Sequence, residues 1–181
     1  MKKFLILLCL IMFVKVAFCQ NDGPKQVTPQ MLQTIKANIE KEVTVLKQRK
    51  GKDKNADELA FMADTFRIEQ TFRKTSAIDY STAGMREGTN VRREGYDKLL
   101  NTYYNKLLKL LKPADKAILI NAQRSWITYR DNEAKLIYKL SEDEYSGGGT
   151  IQQLISAGDY ADLTVQRAIA IFQYYDSVIN K

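Results

Sequence analysis

The chain has 181 residues, a length typical of one domain. Its 45% hydrophobic and 27% charged residues exclude a disordered composition, and only three prolines and nine glycines interrupt it, which favours helices over a many-turned β-sandwich. The net charge is +7, there is no histidine, and the two cysteines fall within the first 19 residues. A histidine-containing triad is therefore excluded, and the rest of the chain lacks the usual soft metal ligands.

Residues 1–19 are predicted to be a cleaved signal peptide. Two lysines precede an apolar run over residues 4–18, and Ala17 and Cys19 then occupy the small-residue positions of a cleavage site. The run is short for a membrane span. The alternative is a lipoprotein acylated at Cys19, the only case in which we expect membrane attachment. We expect a periplasmic or secreted chain without thiols.

Charge is distributed unevenly along the exported chain. Without the lysines of the signal peptide, 25 basic and 21 acidic residues leave a net charge of +4. Residues 20–112 carry +6 and residues 113–181 carry −2. The basic excess is concentrated in Lys47, Arg49, Lys50, Lys52 and Lys54. This cluster is either a solvated helix end or a contact for anionic lipid or polymer. We expect no nucleic-acid partner for an exported chain.

Two helices are predicted before residue 81. Residues 20–29 read as a mobile N-terminus, in which Thr28 caps a helix over residues 30–50. Asn55 and Glu58 form a possible capping box for a second helix that ends at residue 78 or 80. Apolar residues recur at spacings of three and four in the first helix. Residues 30–80 are therefore predicted to form an N-terminal helical hairpin.

Three further helices are predicted in residues 81–181. A long helix over residues 83–112 ends before Pro113, which starts a fourth helix that fades near residue 140. After a polar loop, Thr150 is predicted to cap a fifth helix, whose apolar stripe is Ile151, Leu154, Ile155, Ala161, Val165, Ala168, Ile169 and Phe172. The predicted fold is all-α, a small antiparallel bundle of about five helices.

One face of the fourth helix combines polar and apolar side chains. Gln123, Trp126, Ile127 and Arg130 share this face, and inward polar groups need partners. Asp97, Asn101 or residues 164–167 could supply them. The face is either a buried hydrogen-bond network that fixes helix register or a polar cleft for a ligand.

Catalysis by carboxylates alone is an enzymatic alternative that the composition leaves open. Glycoside hydrolysis needs two facing acids, for which Asp97 and Asp131 are candidates. The competing interpretation is that these acids make helix salt bridges, and we predict a non-enzyme with no cofactor and no metal.

The loop between the last two helices is acidic and then rich in glycine. It contains Glu142, Asp143 and Glu144, followed by Gly147, Gly148 and Gly149. It is either an ordinary flexible connection or a docking loop for a cationic partner.

Five short motifs in residues 80–175 resemble a known family. They are Thr82-Ala83-Gly84-Met85, Tyr96-Asp97-x-x-Leu100-Asn101-x-x-Tyr104, Ala122-Gln123-Arg124-x-Trp126-Ile127-x-Tyr129-Arg130-Asp131, Gly147-Gly148-Gly149 and Leu163-Thr164-x-Gln166-Arg167. In this order they resemble the lysozyme inhibitor LprI-like N-terminal domain family. The resemblance implies an exported helical domain over residues 81–181, and a named member is associated with inhibition of c-type lysozyme.

The motif residues are predicted to be mainly structural. They are Asp97, Asn101, Gln123, Trp126, Arg130, Asp131, Thr164 and Arg167. Members usually carry two cysteines where this chain has Gly88 and Ala134. Because a disulfide typically contributes about 2–4 kcal/mol, core packing must stabilise this version instead.

The sequence thus predicts an exported, non-enzymatic protein-binding module of the bacterial envelope, with lysozyme inhibition as its sharpest form. C-type lysozymes are cationic, and an inhibitor is expected to present acidic surface. The acidic loop and the C-terminal half fit that expectation, whereas the net charge of +4 opposes it. The alternative is a structural or ligand-binding envelope component that contacts peptidoglycan or anionic lipid.

Overall fold

A computed structural model describes residues 23–181, which form six α-helices and no strand. The helices are α1 (Pro29–Lys50), α2 (Ala56–Ile78), α3 (Thr82–Leu110), α4 (Pro113–Leu140), α5 (Asp143–Ser146) and α6 (Thr150–Ile179). The prediction of an all-α fold is confirmed. The predicted signal peptide and Cys19 lie outside the described residues. Within residues 23–181, no helix combines the length and the apolar composition that crossing a bilayer requires.

The first two helices begin where the sequence places them. The Thr28 hydroxyl accepts a hydrogen bond from the Met31 amide at 3.2 Å, with proline at the first helical position. Asn55 accepts the amides of Asp57 and Glu58, each at 2.9 Å, and Glu58 accepts the Asn55 amide at 2.8 Å. The predicted capping box is therefore confirmed.

The start of the last helix differs from the prediction. Gly149 stands at its N-cap position with φ of 95°, and no side chain caps the helix. Thr150 is already helical, so its predicted role as the cap is wrong. The preceding loop contains the one-turn helix α5, which makes six helices rather than about five.

α3 and α6 form the centre of the fold and run parallel. Arg92 of α3 contacts Asp162 of α6 at 2.9 Å, and Tyr103 further along α3 lies against Phe172 with ring centroids 4.9 Å apart. α2 packs on α3, α1 packs on α2, and α4 packs on α6. Each long helix runs antiparallel to the one it follows, and the parallel pair comes from helices that are distant in sequence.

Small residues form much of the α6 face that meets the core. Ala161 and Ala168 are fully buried and Val165 nearly so, as the predicted stripe has them. Ile151 and Ile155 are each 49% exposed, so their predicted place in the stripe is wrong. Close approach of two helix backbones selects small side chains at the contact, which leaves large ones on the outer face.

Aromatic rings fill the core where α2, α3 and α6 meet. Phe61 and Phe172 stack with centroids 3.8 Å apart, and Tyr103 meets both rings edge-on. Such pairs contribute roughly 0.5–1.5 kcal/mol beyond their area burial. They fix the axial position of α2 against the central pair.

Asp57 at the start of α2 joins the same three helices through polar contacts. Its carboxylate accepts hydrogen bonds from Lys106 of α3 and Tyr175 of α6, and its carbonyl accepts the Tyr103 hydroxyl at 3.1 Å. The bonds from Lys106 and Tyr175 hold the pKa of Asp57 below its usual range. The bond to Asp57 also raises the pKa of Tyr175 to about 12.

α1 is the outermost helix on one side. Ile39 and Val43 bury against Ala63 of α2. Arg67 of α2 forms a two-pronged ion pair with Glu40, with both N–O distances at 2.7 Å. Before α1, the amide of Lys25 donates to the carbonyl of Ile78 at 3.0 Å. Part of the predicted mobile N-terminus thus lies along the end of α2.

Candidate functional site

α3 and α4 both pack on α6 and leave a groove between them with α6 as its floor. Tyr160 of α6 touches both walls: its ring lies 5.4 Å from the Arg93 guanidinium of α3 and 6.1 Å from the Tyr138 ring of α4. We call this the α3–α4 groove. The motif residues fall on all three of its helices.

The polar face of α4 finds its partner on α6. Gln123 Oε1 accepts a hydrogen bond from Arg167 Nε at 3.0 Å. The Trp126 ring lies between two guanidinium groups, 5.2 Å from that of Arg130 and 5.7 Å from that of Arg167. Of the alternative partners considered for this face, residues 164–167 supply the one observed, Arg167. Ile127 is 39% exposed, so its predicted place on the inner face is wrong.

The two arginines beside Trp126 differ in how their charge is balanced. Arg130 pairs with Asp131, with N–O distances of 2.9 and 2.7 Å. Arg167 donates its hydrogen bond to the neutral amide of Gln123, lies against the Trp126 ring and pairs with no carboxylate within residues 23–181. Burial lowers the pKa of Arg167 because desolvation disfavours its charged form. The contact between α4 and α6 therefore contains a positive charge that no carboxylate of residues 23–181 balances.

Asp97 and Asn101 do not reach across to α4. The Asn101 amide donates to the Asp97 carboxylate at 3.1 Å and to its carbonyl at 2.9 Å, so the pair closes on one turn of α3. Asp97 and Asn101 are therefore not the ones used among the alternative partners considered for the α4 face. Thr164 is buried in the core at 1% exposure. Asp97 and Asp131, the candidate hydrolytic pair, each bond within their own helix.

Residues 141–149, which we call the acidic tip, join α4 to α6 through the turn of α5. Lys139 binds Glu142 at 2.6 Å and lies 4.0 Å from Glu144, yet both carboxylate side chains stay more than half exposed. Tyr145 beside them is 55% exposed. One lysine therefore faces three acidic residues, and the tip keeps a negative balance.

Local bonds and backbone geometry organise the tip. The Ser146 hydroxyl lies 3.0 Å from the carbonyl of Ser141 and accepts the Gly148 amide at 3.1 Å. Gly147, Gly148 and Gly149 all have positive φ, between 79° and 95°. A Cβ atom at Gly148 would lie 2.7 Å from Asp143 Oδ1. The glycine run is thus required by the path of the chain.

Gly88 and Ala134, the positions where the family resemblance implies cysteines, lie on different helices. A side chain at Gly88 would meet Ser76 Oγ at 3.1 Å and Phe72 at 3.3 Å, both on α2. Ala134 lies on α4, which packs on α6. A side chain at position 88 therefore points toward α2, on the opposite side of α3 from the groove.

Three polar residues of α3 that line or border the groove were not predicted from the sequence. Arg86, Asn90 and Arg93 recur at spacings of four and three, which places them on one helical face. Arg86 donates a hydrogen bond to Gln153 of α6, and Arg93 stacks on Tyr160. Their spacing in the sequence could have indicated this shared face.

In the described part of the chain, no three His, Cys, Asp or Glu residues are arranged to hold a metal ion.

This architecture defines an all-helical module whose polar groove and acidic tip are both formed by α3 to α6. A family model described as Lysozyme inhibitor LprI matches residues 73–170, more than half of the chain. The chain belongs to that family, as its motifs indicate. The match begins near the end of α2 and includes the whole tip. Neither the curated proteins nor the solved structures contain a significant match to this chain.

Proposed function

We propose that this chain is an exported, non-enzymatic protein-binding module of the bacterial envelope, and that its partner is a lysozyme. The family match over residues 73–170 carries the proposal. The acidic tip supplies the docking surface, because c-type lysozymes are cationic and complementary charge accelerates and orients association.

The geometry of the tip supports this role. Glu142 and Glu144 project from a loop whose backbone is held by Ser146 and by the glycine run. A pre-organised loop loses less conformational entropy on binding than a free one. The exposed ring of Tyr145 adds the kind of aromatic side chain that is enriched in binding hot spots.

The test is lysozyme activity on a cell-wall substrate, titrated with purified residues 20–181. We expect saturable inhibition that weakens as salt is added, since the docking charges are exposed. Replacing Glu142 and Glu144 with glutamine removes two charges and keeps the side-chain shape. This double variant is expected to lose at least tenfold in inhibition.

The matched control replaces Glu87 and Asp159, both exposed, with glutamine and asparagine. It changes the net charge by the same amount on α3 and α6. Full inhibition by the control and weak inhibition by the tip variant support docking through the tip. Equal losses by both would indicate a general charge effect. No inhibition by a folded sample discards lysozyme as the partner and favours a structural or ligand-binding envelope component.

A further inference from the structure

A polar cavity of about 250 Å³ lies at the end of the α3–α4 groove that is nearest the acidic tip. Its floor is formed by Ser156 and Ala157, which are 2% and 5% exposed. The residues around its walls and mouth are Arg86, Asn90, Tyr138, Ser141 and Gln153. No acidic side chain lines it.

The charge at the mouth of this cavity is not neutralised. Arg86 donates a hydrogen bond to Gln153 Oε1 and contacts no carboxylate within residues 23–181. An amide oxygen satisfies one donor but cancels no charge, and a guanidinium carries five N–H donors in a planar fork. Arg86 is thus able to bind a carboxylate in the two-pronged geometry that this fork favours.

The remaining lining suits a ligand with several hydroxyl groups. Asn90 and Gln153 contribute side-chain amides, which both donate and accept hydrogen bonds. Ser156 donates its hydroxyl hydrogen to the Gln152 carbonyl at 2.9 Å, which leaves the oxygen as an acceptor. The volume corresponds to about eight waters at roughly 30 Å³ each. That is the space of one sugar ring.

A second arginine, Arg93, lies seven residues or about two helical turns further along the same face of α3. Arg93 stacks on Tyr160, its nearest carboxylate is that of Glu94 at 4.0 Å, and its Nε atom is buried with no hydrogen-bond partner in the described part of the chain. Tyr160 in turn packs against Tyr138, which lines the cavity. Positive charge and aromatic surface therefore continue from the cavity into the groove.

We propose that this cavity binds an acidic sugar. Arg86 holds the carboxylate of the sugar, and Asn90 and Gln153 bond its hydroxyl groups, while Tyr138 covers one face of the ring. This activity is separate from binding a lysozyme. The residues that bind the sugar belong to α3, α4 and α6 and lie outside the acidic tip, so either proposal can fail while the other stands.

The test is a pair of titrations followed by two-dimensional amide NMR. N-acetylmuramic acid carries a carboxylate, and N-acetylglucosamine is its neutral counterpart. We expect saturable shifts from the acid in residues 86–90 and 153–157, with an affinity at least tenfold above that of the neutral sugar. Replacing Arg86 with glutamine is expected to weaken binding of the acid about tenfold.

The matched control is Arg124→Gln on α4. Arg124 is exposed and lies 14 residues before Tyr138, about 21 Å along the helix axis. It is expected to bind the acid as the parent chain does. Lactate, a carboxylate without the ring, is expected to bind more weakly than the acid sugar. The proposal is overturned if the two sugars bind with equal affinity or if the two variants have equal effects. It is also overturned if no saturable shift is seen up to about 10 mM sugar, a concentration that would fill roughly nine-tenths of a site with a dissociation constant of 1 mM.

Discussion

The contact between α2 and α3 depends on the absence of a side chain at Gly95. A Cβ atom there would lie 2.8, 3.0 and 3.2 Å from three carbons of Ile68. Ordinary carbon contacts lie near 3.5–4.0 Å, so Ile68 would have to retreat by roughly 0.5 Å or more. Its β-branched side chain is stiff in a helix and has few other rotamers. Gly158, inside α6, offers a control because nothing lies within 4 Å of its Cβ position.

These two glycines give opposite expectations for the same substitution. Gly158→Ala is expected to stabilise the protein by about 0.5–1 kcal/mol, because alanine has the higher helix propensity. Gly95→Ala gains the same propensity and incurs an overpacking cost of about 1–3 kcal/mol. The net change at Gly95 is a loss of about 0–2.5 kcal/mol. The two variants should therefore differ by about 1–3 kcal/mol in free energy of unfolding.

The measurement is urea unfolding followed by circular dichroism at 222 nm, the usual wavelength for helix content, for the parent chain and both variants. At a slope of about 2 kcal/mol per M, a difference of 1 kcal/mol separates the midpoints by about 0.5 M. Unchanged slopes are needed to compare them. If Gly95→Ala stabilises the chain as much as Gly158→Ala, the close approach of α2 and α3 at this point is not real.

Two further substitutions test the tip and the start of α2. Gly148→Ala should speed amide hydrogen exchange across residues 143–152 more than Gly147→Ala does. Both glycines have positive φ, but only a Cβ atom at Gly148 would meet Asp143. Equal exchange rates in the two variants would show that the contact with Asp143 has no effect. Asp57→Asn should destabilise the chain most at neutral pH. The folded state lowers the pKa of Asp57, so its carboxylate stabilises the fold at pH values above the pKa of the unfolded chain, and this stabilisation is lost as the pH falls below about 4. A urea midpoint difference that stays constant from pH 7 to pH 3 would contradict this.

Helix boundaries were predictable because they depend on neighbouring residues. Thr28 and Pro29 start α1, and Asn55 with Glu58 starts α2 through contacts within three residues. Pro113 separates α3 from α4 in the same local way. The start of α6 was predicted one residue too late. Gly149 stands at the N-cap position with a positive φ and no capping side chain, whereas a threonine such as Thr150 is the residue type that usually caps a helix.

The buried face of α6 was less predictable because it depends on a distant helix. Hydrophobicity alone favours Ile151 and Ile155 over Ala157. The structure buries the alanine because α3 lies directly against it, and the isoleucines face outward. Which residues of α6 are buried depends on the helix that packs against it, and the sequence alone does not identify that helix.

The candidate site was predictable only in part. The link from Gln123 to Arg167 followed from the need of an inward polar group for a partner. Asp97, another partner considered for that face, is bonded instead to Asn101 one turn away on the same helix. Arg86 was missed because its neighbour across the cavity, Gln153, is 67 residues away and becomes a neighbour only when α3 and α6 run parallel.

That parallel pairing explains why the groove and the tip occur together. Two parallel helices cannot be joined by a short turn, since the chain must first return to the end from which it started. α4 provides this return and packs on α6 rather than on α3, which opens the α3–α4 groove. The chain must then reverse again into α6, and the positive φ angles of Gly147, Gly148 and Gly149 make that reversal within a few residues. The acidic residues stand at this second reversal, so the topology itself places the proposed docking surface at the mouth of the groove.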